Sequence, residues 1–168
     1  MTNQLFEAAL GITAPWFVHA IDFDAAARRL TIRIDFAPGS RFAHAKAPGQ
    51  HPVYDTQIKR LRHLNFFQHE CHLEVRVPRL RLPDGRVALL DPDWVGKLAG
   101  FTLLFEALVL MLARQMPFAA VARIVGETWH RVHAICRRYV DLALAKADLS
   151  GLTMLAIDET SSAAATIT

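Results

Sequence analysis

The chain has 168 residues, 52% of them apolar and 21% charged, with a formal net charge of +3 when the histidines are neutral. That apolar share excludes disorder along the whole chain, because enough surface can be buried to offset the entropy of ordering. A charge this small tolerates a nucleic acid as partner without arguing for one, since the placement of charge matters more than its sum.

The length allows one domain or two small ones. Cys71 and Cys136 lie far apart and form no CxxC pair, which fits a reducing compartment. The first residues, Met1-Thr2-Asn3-Gln4-Leu5-Phe6-Glu7, lack the basic start and apolar run of a secretory signal. The most apolar window, 103–112, contains Glu106 and falls short of the ~20 residues that cross a bilayer. The expectation is a soluble, intracellular protein with no membrane partner.

In chain order, residues 3–10 predict a short amphipathic helix ended by Gly11. Runs at 16–23 and 29–36 alternate, with Asp24-Ala25-Ala26-Ala27 as the turn between them. Leu30, Ile32, Ile34 and Phe36 share one face of the second run, a half-buried strand. From 38 to 52 the composition turns to Gly, Pro, Ala, Lys and His without periodicity, which predicts a loop or module boundary. Residues 72–82 alternate strongly and bring Arg76, Arg79 and Arg81 near one another; 83–86 is a turn and 87–90 a partner strand.

Helix-forming residues then take over. Residues 101–116 are apolar nearly all round, so a central buried helix is expected there, capped by Thr102 and stopped by Pro117. The stretch 118–139 reads as two helices broken at Gly126, which supplies the positive φ that ends the first. Val121, Ala122 and Val125 form the apolar stripe of the first helix, and Val132, Ile135, Cys136 and Tyr139 that of the second. Thr128 is the N-cap of the second. Small Ala122 allows close approach of the axes, as in a helix-turn-helix. The remaining face offers Arg123, Thr128, Trp129, His130, Arg131, His133, Arg137 and Arg138 to DNA, the first turn of the second helix entering a major groove and the arginines reaching phosphates. The competing reading is an ordinary helical hairpin with a solvated basic face. After Ser150-Gly151, residues 152–157 predict a short apolar strand.

Two further clusters carry possible chemistry. His63, His69, Cys71 and His72, with His44 and His51 upstream, are metal-ligand types, and the zinc candidates are His51, His69, Cys71 and His72. Only one knuckle there supplies a thiolate, and 82–85 offers neither Cys nor His, so the plain alternative is a turn and strand with surface histidines. Asp158-Glu159 follows the strand at 152–157; a strand-end Asp can hold a divalent ion for phosphoryl transfer or simply start a turn.

Taken together, His63-Leu-Asn-Phe-Phe-Gln-His-Glu-Cys71, the run from Arg76 to Arg79, Gly100-Phe-Thr-Leu-Leu-Phe-Glu-Ala107, Ala122-Arg-Ile-Val-Gly-Glu127 and Ala156-Ile-Asp-Glu-Thr160 resemble the N-terminal half of insertion-sequence transposases of the ISL-three family, in order from about 5 to 162. The resemblance implies an α+β fold: a small N-terminal β-rich module, a helix-turn-helix domain, and one orphan strand of a truncated RNase H-like domain. It divides the chain into 1–45 (helix and β-hairpin), 46–97 (a degenerate zinc-ribbon-like module), 98–150 (the helix-turn-helix) and 151–168 (the start of a DDE domain). It maps the first catalytic carboxylate onto Asp158 and implies Mg²⁺ for the full-length family.

The family's cysteine knuckles have no counterpart at 47–51 or 82–85, and the second Asp and the Glu of the triad have none in this chain. The expectation is therefore a DNA-binding fragment, inactive alone and without a cofactor of its own, that recognises terminal inverted repeats in double-stranded DNA. Its setting would be bacterial, cytoplasmic and nucleoid-associated. Two other readings stay open: a regulator that assembles with itself or with full-length transposase, and a helical interaction module that touches no DNA.

Overall fold

The computed structural model describes residues 2–148; the expected strand at 152–157, with Asp158 and Glu159, lies outside them. Ten elements follow in order: α1 (Thr2–Leu10), β1 (Trp16–Asp24), β2 (Arg29–Phe36), β3 (Arg41–His44), β4 (Ala47–Phe66), β5 (His69–Arg81), β6 (Val87–Leu89), α2 (Leu103–Ala113), α3 (Phe118–Val125) and α4 (Trp129–Leu144). The fold is α+β, a sheet followed by helices, as the residue patterns predict.

Alternation in β2 does what period two requires: Leu30, Ile32, Ile34 and Phe36 are all buried. Strand order is β1-β2-β5-β4-β3, with β6 also on β5. The β2–β5 pair is parallel, Leu30 opposite Cys71 and Ile34 opposite Val75, so the sheet joins strands from the first two stretches of chain. Cys71, Leu73, Val75 and Val77 of β5 pack with the β2 residues, Val18 and Ile12 in one core. Helix α1 is tied to that sheet through polar atoms: Val18 N–H donates to Glu7 Oε1 (2.8 Å), and Asn3 Nδ2 donates to the Val18 carbonyl (2.9 Å).

The stretch 38–52 differs from the expected loop. It holds β3 and the first residues of β4, paired Arg41 to Pro52 and Phe42 to His51. Backbone ladders need no alternation of side chains, and one aromatic anchors the hairpin: Phe42 is buried against Trp16 and Phe36, with ring centroids 5.7 and 5.3 Å apart. Strand β5 also begins earlier than its alternating core, at His69. The 83–86 turn is as predicted, Gly85 taking φ 82° and Leu82 N–H donating to the Arg86 carbonyl (2.9 Å).

A second core belongs to the helices: Phe101, Phe105, Val109, Val121, Ala122, Val125, Val132 and Ile135. The two cores meet where Arg62 of β4 exchanges backbone hydrogen bonds with residues 100 and 102: its N–H donates to the Gly100 carbonyl (2.8 Å) and its carbonyl accepts from Thr102 (3.0 Å). No helix among the described residues is long and apolar enough to cross a membrane.

Candidate nucleic-acid interface

Local chemistry builds the helix pair. Pro117, with φ near −61°, is the N-cap of α3. At its other end Gly126 takes φ 71°, and its N–H bonds the Ala122 carbonyl. Glu127 N–H donates to the same carbonyl (3.0 Å), satisfying helix-end acceptors. Thr128 then caps α4, its hydroxyl accepting from Arg131 N–H (3.4 Å). Val121, Ala122 and Val125 of α3 and Val132 and Ile135 of α4 are buried in one cluster, as the apolar stripes require.

The outward face of α4 carries the side chains expected there. Thr128, Trp129, His130, Arg131, His133, Arg137 and Arg138 are exposed, as is Arg123 on α3. Trp129 lies against His130 at 4.1 Å between ring centroids and reaches His133 at 5.9 Å, giving an aromatic and imidazole group on the first turn. Arg123, Arg137 and Arg138 form no ion pair among the described residues, so their charges face solvent uncompensated. Arg131 also makes contacts within the protein. It pairs with Glu127 (2.7 Å) and places its guanidinium 4.2 Å from the Phe101 ring centroid, tying the turn to the start of the helical core.

Several residues that hold this face in place are hard to find from the sequence. Glu106 is fully buried on α2; its Oε2 accepts from Lys97 N–H (2.8 Å) and Tyr139 Oη (2.6 Å), and its Oε1 from Leu98 N–H (2.6 Å). That carboxylate binds the 97–98 loop and α4 to α2; burial first, and then the Glu106 carboxylate, push the Tyr139 hydroxyl well above its usual pKa. The one advance signal was a charged residue inside an otherwise apolar helix. Gly96 is the space it needs, since a Cβ there would stand 2.5 Å from Glu106 Oε1 and 2.7 Å from the Phe101 carbonyl.

Arg62 is the clamp between sheet and helices. Its guanidinium is buried and donates to the carbonyls of His63 (2.6 Å), Cys71 (3.1 Å) and Val125 (3.4 Å) and to Asn65 Oδ1 (2.5 Å). Val125 is the last residue of α3, where carbonyls are unpaired and the helix dipole is negative. Burial lowers the pKa of Arg62, while Glu70 and Glu127 oppose that shift. Beside it His63 Nδ1 lies 2.9 Å from Thr102 Oγ1, and burial, with Arg62 nearby, lowers the imidazole pKa to about 4.

The zinc candidates are dispersed. His51 is buried near the start of β4, its Nε2 3.3 Å from the Ala47 carbonyl. Cys71 pairs with His63, twelve positions further along β4 and roughly 40 Å of strand away. Its thiol points into the sheet core, where burial pushes its pKa to about 11. His69 lies tilted against Phe23 at 4.6 Å between ring centroids, and His72 faces Glu70. Among the described residues no three His, Cys, Asp or Glu side chains are gathered as a metal set. Asp158 lies outside the described residues.

Residues 90–140 match the family model of the helix-turn-helix domain of transposase family ISL3. The match spans the 90–102 connection, α2, α3 and α4 as far as residue 140, so this stretch is similar to a transposase helix-turn-helix, a class of domain that binds DNA. No curated protein and no solved structure matches the chain.

Proposed function

We propose that this chain is the DNA-recognition part of an insertion-sequence transposase and that it binds the element's terminal inverted repeats. Helix α4 would enter the major groove, with Trp129, His130 and His133 at base edges and Arg123, Arg137 and Arg138 on phosphates. One observation carries the reading: a capped, glycine-hinged helix pair presents uncompensated arginines on its open face, inside the stretch that matches a transposase helix-turn-helix. Arg131 acts as a tether of the turn rather than as a phosphate ligand, in keeping with its pairing to Glu127.

The test is binding to a duplex carrying an inverted repeat, measured beside a scrambled duplex of the same composition. Preference for the repeat supports the reading; equal binding leaves a DNA-binding domain without repeat recognition, and absence of both rejects it. A second reading rests on Met111, Val140 and Leu144, large apolar side chains that are exposed on α2 and α4. These suit a contact with a second copy of the chain, as in helix-turn-helix dimers that span paired half-sites. Light scattering without DNA separates a preformed dimer from a monomer.

A further inference from the structure

The tip of the β4–β5 hairpin places a bulky aromatic residue where its turn geometry favours glycine. Phe66 pairs with His69, so Phe67 and Gln68 are the two central residues of a tight hairpin turn. Phe67 takes φ 53° while Gln68 does not take a positive φ, the sign pattern of a turn whose first central residue is normally glycine. A β-carbon in that conformation is strained, and the ring that accompanies it is 84% exposed. Its neighbours only stiffen it: Phe67 meets Phe66 edge-on at 4.8 Å, and Phe66 meets Phe6 of α1 at 5.5 Å.

The residues that flank this tip reach the helix-turn-helix. Arg62 Nη2 joins Asn65 to the end of α3, and a Cβ at Gly126 would sit 3.3 Å from Glu70 Oε1. The β1–β2 turn arrives at the same place, with Glu70 N–H donating to the Arg28 carbonyl (2.9 Å). It brings exposed Arg28 and Arg29, which form no ion pair among the described residues. Of the acids at the junction, Glu127 pairs with Arg131, while Glu70 lies 3.4 Å from His72, whose pKa burial lowers, and acts on the Arg62 guanidinium nearby.

We infer that the Phe66–Phe67 hairpin tip is a second DNA-contacting element, a wing that sets the Phe67 ring into the minor groove or between base steps beside the groove occupied by α4, while Arg28 and Arg29 hold the flanking phosphates. Apolar wedges held beside cations are how proteins grip and kink a minor groove. The inference rests on the DNA-binding reading of α4.

The experiment compares wild type, Phe67→Gly, Phe67→Asn, Phe67→Tyr and the Arg137→Ala/Arg138→Ala double variant. Each is titrated against a short duplex that wild type selects from a randomised pool, with 2-aminopurine walked along the duplex and self-association followed by light scattering. Glycine and asparagine accept positive φ, so both variants should stay folded, with Tm at or above that of wild type. They should bind roughly tenfold more weakly, and Phe67→Tyr within about twofold of wild type. Wild type and Phe67→Tyr should brighten 2-aminopurine at one step, and the glycine and asparagine variants should not.

If the glycine and asparagine variants bind like wild type while the double arginine variant is weakened, the wing is overturned and the α4 reading stands. A change in self-association at unaltered DNA affinity would make the tip a protein-docking surface, which also overturns it. Failure of wild type to select any duplex removes both readings.

Discussion

A fully buried carboxylate is tolerable only when its oxygens are paired, and Glu106 meets that condition with two backbone N–H groups and the Tyr139 hydroxyl. Replacing it with Leu would strand all three donors, and we expect a loss of about 3 kcal/mol or more in urea unfolding. Gly96→Ala should be comparably damaging, because the added methyl would land on the carboxylate and on the Phe101 carbonyl. His63 gives stability a pH dependence of definite sign. Its folded pKa of about 4 lies below the ordinary 6.5, so on acidification the unfolded chain takes up the proton first. Stability should therefore fall between pH 6.5 and 4, by at most ~3 kcal/mol, and His63→Gln should flatten that slope in thermal melts at stepped pH.

At the scale of elements, the helix pair depends on its hinge. A Cβ at Gly126 would be held at positive φ beside Glu70, so Gly126→Ala should cost about 1–2 kcal/mol; Thr128→Ala, which removes the α4 cap, should cost about 1 kcal/mol, both read from denaturant midpoints. Arg62→Met tests the clamp, and hydrogen exchange should show α3 losing protection before the β2–β5 core does. These elements differ in how plainly the residues announce them. Thr102, Pro117, Gly126 and Thr128 act on their own neighbours, so the starts of α2 and α4 and both ends of α3 can be read from local chemistry, whereas α2 stops at Ala113, short of the expected end before Pro117. The β3 hairpin cannot, because its ladder is main-chain and its anchor, Phe42, packs on Phe36 and on Trp16 of another strand. Arg62 is harder still: its partner Val125 lies 63 residues away, and its sequence neighbours look like any basic strand.

Across the whole molecule, the sheet reads as a platform that fixes where the helix pair sits. Arg62, His63 and the backbone bonds from residue 62 to residues 100 and 102 join two apolar cores. The exposed face of α4 was legible as a set of residue types, from Trp129 to Arg138, because helical spacing alone separates it from Val132 and Ile135. That Arg131 would turn to Glu127 and Phe101 was not, since Phe101 reaches it only through the tertiary fold. The α+β order of sheet then helices follows from alternation giving way to helical period near residue 100.

The central claim is that uncompensated arginines on α4 meet duplex phosphates, and a salt titration of binding tests it most directly. Log affinity against log salt should be a falling line for wild type, its steepness reduced by ~2 in Arg137→Ala/Arg138→Ala, about one counterion for each lost charge. An unchanged slope in the folded double variant, or no binding by wild type at low salt, would contradict it.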